Sequence, residues 1–210
     1  DPIQLLRQCR LSAWSFDHLI AAQTAFVPFH WSTDCSPYID VSVGYDAYLA
    51  ERRAAGAADV MQALSKKRKS ERQLGVRFVP RTTDRRVLET LIEWKSNQYR
   101  RSRVTNPFSF PWTVALLEYL LHSTNNPDFS GTLSALYLGD RLAAVHFGMR
   151  SGSVRHWWFP AYDPELSKYS PGSQLLLEWI KVANSLGIAR IDLGKGPESY
   201  KRDFMTGSIA

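Results

Sequence analysis

Four short stretches of this 210-residue chain carry residue types that could do chemistry. Ser170-Pro171-Gly172-Ser173 opens an apolar periodic run with a proline and a glycine, the composition of a helix N-terminus. The free N–H groups of a first turn and the positive end of the helix dipole favour an anion such as a pyrophosphate. Gly172 would let the backbone come close to it, and Ser173 would add a hydroxyl donor; the alternative is an ordinary capped helix. His146 lies in an alternating apolar run. An imidazole near neutral pKa is a natural general base, although a hydrogen-bonded scaffolding histidine is the competing role. Asp192 interrupts the apolar run Ile188 to Leu193, and a buried carboxylate there demands a partner. It could act as the base, orient another group, or accept from the backbone of the Gly194–Gly196 turn. Lys201 could pair with a phosphate or a developing oxyanion; otherwise it faces solvent from a short helix packed through Tyr200 and Phe204. Glu198 and Arg150 are weaker candidates, and His156 with Trp157-Trp158 reads as packing or as a platform for an acceptor.

The elements that must hold these residues follow from periodicity. Asp59 to Leu74 reads as a helix ending at Gly75, and Val76 to Pro80 as a strand. Asp84 opens a helix to about Arg101 with Leu88, Leu91, Ile92 and Tyr99 on one face; a second helix starts near Pro111. After Asn125-Asn126-Pro127 the period becomes that of strands. Leu133 to Leu138, Leu142 to Arg150 and Val154 to Pro160, separated by Gly139-Asp140 and Ser151-Gly152-Ser153, predict an antiparallel meander. A helix from Pro171 to Leu186, the strand Ile188 to Leu193, the turn Gly194-Lys195-Gly196-Pro197 and a short helix around Tyr200 complete the chain. A strand, helix, strand unit implies parallel pairing of its two strands. The opening third is less legible: a helical start, an aromatic stretch from Trp14 to Phe29, a short strand within Cys35 to Val43 and a helix from Tyr45 to Arg53.

Composition narrows the function classes. With 44% hydrophobic and 22% charged residues the chain is a packed globular protein. No apolar run approaches the ~20 residues that span a bilayer. The two cysteines, Cys9 and Cys35, have no partners at metal or disulfide spacing, so no metal is expected, and reduced thiols suggest a cytoplasmic home. The charge of +6 favours anionic partners without naming one. The run Lys66, Lys67, Arg68, Lys69 and Arg72 reads first as a solvated face and second as a grip on a polyanion.

The strings Leu142-Ala-Ala-Val-His146-Phe-Gly, Ala161-Tyr-Asp-Pro164, Tyr169-Ser-Pro-Gly172 and Ile191-Asp-Leu-Gly194 with Tyr200-Lys201 resemble the GNAT acyltransferases. More narrowly, they resemble the branch associated with cellulose or polysaccharide biosynthesis, related to the Fem-type peptidyltransferases. The resemblance implies an α/β fold with a mixed central sheet flanked by helices. It also implies a GNAT-like domain from 75 to 210, preceded in 1–74 by the remnant of another such half and a basic connecting helix. Its implied activity is direct transfer of an acetyl or other acyl group from a CoA thioester to an amine or hydroxyl. Lys168, Ser170, Gly172 and Ser173 would then hold the cofactor, with Lys168 standing where the family has a basic residue or glutamine ahead of its loop. Asp192 would lie where the strands part to admit the pantetheine, and Tyr200 would protonate the leaving thiolate. Transfer from an aminoacyl-tRNA, as in Fem-type relatives, is the second choice, and a noncatalytic binding module the third.

Overall fold

The computed structural model describes residues 1–15, 19, 22–123, 129–196 and 198–209. Parts of the Trp14–Phe29 stretch, the Asn125-Asn126-Pro127 break and Pro197 lie outside them. The elements in chain order are α1 (Pro2–Gln8), β1 (Ser36–Asp40), α2 (Tyr45–Ala54), α3 (Ala58–Gln73), β2 (Val76–Thr82), α4 (Arg85–Ser102) and α5 (Pro111–His122). There follow β3 (Phe129–Leu138), β4 (Arg141–Ser151), β5 (Val154–Tyr162), α6 (Pro171–Ala183), β6 (Arg190–Asp192), α7 (Ser199–Phe204) and β7 (Gly207–Ile209).

The strands form one seven-stranded mixed sheet in the order β2-β3-β4-β5-β6-β1-β7. The meander forms as the turn residues require: β3–β4 and β4–β5 are antiparallel, with Gly139 and Gly152 at positive φ in the two hairpins. Period-two alternation then divides the core. Leu136 and Ala144 join the core of α3 and α6 on one face, while Ala135, Val145 and Phe147 join that of α4 and α5 on the other. Both cores mix aliphatic and aromatic side chains. Trp179 of α6 is buried against the sheet and donates through Nε1 to Ser134 Oγ at 2.9 Å.

Two features of the sheet were not legible from local patterns. β7 is too short to show a period, and β1 inserts between β6 and β7, antiparallel to both. The sheet therefore runs across the boundary drawn at Gly75. Tyr38 faces Asp192 on one side and Gly207 on the other, and Tyr48 of α2 donates to the Phe204 carbonyl at 3.0 Å. Ile39, Val41, Tyr48, Val60 and Ala63 belong to the same core as α6.

What positions the site is the short pairing of β5 with β6. The two strands are parallel, as the crossover through α6 implies, but match only at Val154 with Arg190, Arg155 with Ile191 and His156 with Asp192. Beyond that point β6 ends while β5 continues to Tyr162. Just past it, β5 also bulges: Phe147 and Met149 of β4 oppose Phe159 and His156, two steps against three, which leaves an extra residue within Trp157-Trp158.

Candidate active site

A cavity of about 780 Å³ occupies the gap where β5 and β6 have parted. Its wall is drawn from both faces of the sheet: Ser170, Gly172 and Ser173 at the start of α6, and Lys95, Gln98 and Ser102 on α4. It therefore passes beyond the end of β6 from one face to the other. Trp157 and the segment from Leu193 to Lys195 line its sides.

The α6 end is built to leave donors open. Ser170 precedes the helix with φ 51 and ψ 54, a left-handed conformation costing a non-glycine residue about 1 kcal/mol. An N-cap serine ordinarily lies in extended backbone and caps the first turn with its hydroxyl. Here the hydroxyl makes no cap and instead accepts from Lys66 Nζ at 2.8 Å. Pro171 has no N–H, so the uncapped donors are those of Gly172 and Ser173. At Gly172 an added Cβ would rest 3.5 Å from Tyr162 Cδ1, ordinary contact on the protein side. The basic residue at this turn is Lys66 of α3 rather than Lys168, whose ammonium lies 5.0 Å from the Tyr169 ring centre and does not reach the cavity. The basic run divides accordingly. Lys67 pairs with Glu178 of α6 at 2.9 Å and Glu71 at 2.8 Å, while Arg68, Lys69 and Arg72 are exposed.

Neither residue expected as the base reaches the cavity. His146 is fully buried, with its ring stacked 3.7 Å from that of Trp157 and its Nδ1 3.2 Å from Arg155 Nη2. Burial, reinforced by Arg155 and Lys95, holds its pKa well below the ordinary value. Gly148 makes room for it, since a Cβ there would fall 2.5 Å from His146 Cε1. The ring is held in the core by Trp157 and Arg155, while its Nε2 has no partner among the described residues. Asp192 likewise spends its oxygens on neighbours: Ser36 Oγ at 2.7 Å, Gly194 N at 2.9 Å and His156 Nδ1 at 3.1 Å. Burial opposes its charge, but these three donors prevail and hold the carboxyl at about 2. It ties β1, β5 and the Gly194 turn together at the last paired position of β5 and β6.

Tyr200 and Lys201 do line the cavity. Burial, then the charge of Glu198, pushes the Tyr200 phenol well above its ordinary value despite a hydrogen bond from Trp157, so it stays protonated. Lys201 is not available to a ligand. Its ammonium donates to the carbonyls of Gly194 at 3.0 Å and Lys195 at 2.8 Å and pairs with Glu198 Oε2 at 2.9 Å, which uses all three N–H groups. It holds the cavity wall in shape. Three charged residues that the sequence patterns passed over or ranked low do reach the cavity: Lys95, Lys195 and Glu198. Glu198 is the carboxylate among the described lining residues. Burial works against its charge, but Lys201 outweighs that and keeps the carboxyl below its ordinary value. Lys95 left a signal in the sequence: it continues the sheet-facing stripe Val87, Leu88 and Leu91 of α4, where an ordinary amphipathic helix would place an apolar residue.

A mixed sheet that parts beside a bulge, with an open helix N-terminus at the gap, frames the cavity. The chain belongs to the acetyltransferase (GNAT) domain family, whose sequence profile matches residues 58–202, and such domains use acyl-CoA donors. Among solved structures, FemX shares the fold at 12% identity and a TM-score of 0.60, over 83% of this chain and 59% of FemX. A conserved protein of unknown function from Bacteroides thetaiotaomicron matches at 13% identity and a TM-score of 0.57, over 90% of this chain and 65% of that one. The C-terminal DUF2156 domain of an Agrobacterium fabrum protein matches at 12% identity and a TM-score of 0.56, over 83% and 57%. This chain thus spans less than two thirds of each. No curated protein sequence matches it. Among the described residues, no helix is long and apolar enough to cross a membrane, and no cluster of three His, Cys, Asp or Glu side chains could hold a metal ion.

Proposed function

We propose that this domain transfers an acyl group from a CoA thioester directly to an amine or hydroxyl acceptor, with no covalent enzyme intermediate. The observation that carries this reading is the single cavity reaching from the open first turn of α6 to the opposite face of the sheet. It lets a phosphate-bearing donor and an acceptor meet from two sides. The Gly172 and Ser173 N–H groups and Ser170 hold the pyrophosphate, with Lys66 placing a positive charge behind the Ser170 hydroxyl. The bulge in β5 interrupts the ladder within Trp157-Trp158, two residues that line the cavity, and a backbone N–H left unpaired there would serve the thioester carbonyl.

Glu198 takes the proton that the acceptor loses as its nitrogen or oxygen bonds to the carbonyl carbon. Tyr200 gives its proton to the sulfur as the C–S bond breaks. The phenol lines the cavity and holds its proton at neutral pH, as this role requires. Asp192 and Lys201 set the wall between them, and His146 supports Trp157, which in turn hydrogen-bonds Tyr200.

The test is a melting experiment. CoA at ~100 times its dissociation constant adds about 2.7 kcal/mol, a rise of roughly 5–11 °C for a chain of this size. We expect that shift with modest salt dependence, because few phosphates are held. An unmoved melting curve, together with tRNA binding that falls steeply between low and physiological salt, would replace this reading with aminoacyl transfer. No response to either ligand would make the domain a noncatalytic module.

A further inference from the structure

Lys95 is 7% exposed, yet the structure gives its ammonium no carboxylate. Its Nζ donates to Gln98 Oε1 at 3.0 Å and lies 5.2 Å from the centre of the Tyr99 ring. With one of its three N–H groups engaged, two remain. Glu198, which lines the same cavity, is close enough to favour the lysine's charge, but is itself ion-paired to Lys201 at 2.9 Å. A buried ammonium without a counter-ion is costly and is kept only where something repays it. Among the described residues, the Tyr99 ring face is the only contact of Lys95 that calls for a charge, and a cation–π contact falls short of a counter-ion. Lys95 sits on α4, across the sheet from the donor turn at α6, so the groups it meets belong to the acceptor rather than to CoA.

We infer that the acceptor is an amine that also carries a carboxylate or phosphate, with this anionic group held by Lys95 and its nitrogen presented to Glu198. The two residues place opposite charges in one cavity, the pattern a zwitterionic acceptor fits. Gln98 orients the ammonium, and Ser102, one turn further along α4, adds a hydroxyl within the same lining. Burial holds the free lysine at about 8. An anion in the cavity would return it toward its ordinary value.

The inference rests on the acyl-transfer reading, because that reading divides the cavity into donor and acceptor ends. It is tested on the full chain saturated with CoA, using two matched pairs of probes: β-alanine against propylamine, and O-phosphoethanolamine against ethanolamine, at constant ionic strength. The expected result is a further rise in melting temperature of roughly 3–6 °C for the amine that carries the anionic group, at ten times its dissociation constant, with none for the amine that lacks it. Which pair responds separates carboxylate from phosphate. In Lys95→Met the affinity for the responding probe falls by about tenfold or more, and Lys95→Arg restores part of it. The free Lys95→Met protein should melt about 2–4 °C higher, because a buried charge has been removed, whereas loss of a structural lysine would lower it. If CoA itself gives no shift, the acyl-transfer reading fails. If CoA shifts the curve but the amines with and without the anionic group act alike, or if Lys95→Met keeps the response to that group, the Lys95 assignment fails alone.

Discussion

At the scale of single residues, the site separates groups that touch the cavity from groups that hold its wall. Glu198→Gln should lower turnover about 10²–10⁴-fold, the span of general base catalysis, with CoA affinity nearly unchanged by calorimetry. His146→Ala should instead cost about 2–4 kcal/mol of stability, since it opens a hole beneath Trp157 in a packed core. Its turnover should remain within about tenfold, as initial-rate measurements on the folded fraction would show. Asp192 carries a pH signature. Its folded pKa of about 2 lies below the ordinary carboxylate value, so its contribution is complete above roughly pH 4 and is lost as pH falls toward 2. Asp192→Asn should remove that part of the acid destabilisation, on the order of 2 kcal/mol, in denaturant titrations at pH 5 and pH 2.5. The chemistry of these side chains was readable from type alone. Which of them reach the substrate was not, because one strand position separates His156, on the α4 face, from Trp157, stacked on His146 on the other.

At the scale of elements, the Ser170 conformation matters most. A left-handed residue ahead of Pro171 sends the chain into α6 with its first-turn donors uncapped, and Lys66 rather than the helix receives the serine hydroxyl's lone pair. Gly172→Val should leave the fold intact, because the Cβ position is 3.5 Å from the nearest side-chain atom. The branched side chain would stand between the open N–H groups and a phosphate. Calorimetry should show CoA affinity reduced about tenfold or more, with the melting temperature of the free protein shifted by no more than a few degrees. The helix start, its proline and its glycine were legible, since local composition determines them. The partner from α3 was not, because Lys66 lies far away in sequence and reads alone as one cation in a run. Lys95 was hidden differently: its helical stripe was visible, but a stripe position gives no hint that the sheet below it has parted.

At the scale of the molecule, β7 joins the sheet only through the N-terminal strand. β1 pairs with β6 and β7, and Ile39, Val41, Tyr48 and Val60 are each at most 1% exposed in the core shared with α6. At ~1.5–3 kcal/mol per buried side chain these four contribute roughly 6–12 kcal/mol, comparable with the whole margin of about 5–15 kcal/mol for a domain. A chain cut to residues 75–210 should therefore show no cooperative unfolding transition by circular dichroism, whereas the full chain should. The sequence by itself determined the meander, the parallel crossover and the helix start at Pro171, because turn glycines, period-two runs and helical stripes are local properties backed by strong steric preferences. Only the tertiary structure decided where β1 and β7 lie, that β5 and β6 part after His156 and Asp192, and that Lys66, Lys95 and Glu198 line or flank one cavity. Those outcomes depend on contacts between segments far apart in the chain, whose free energy no local window contains.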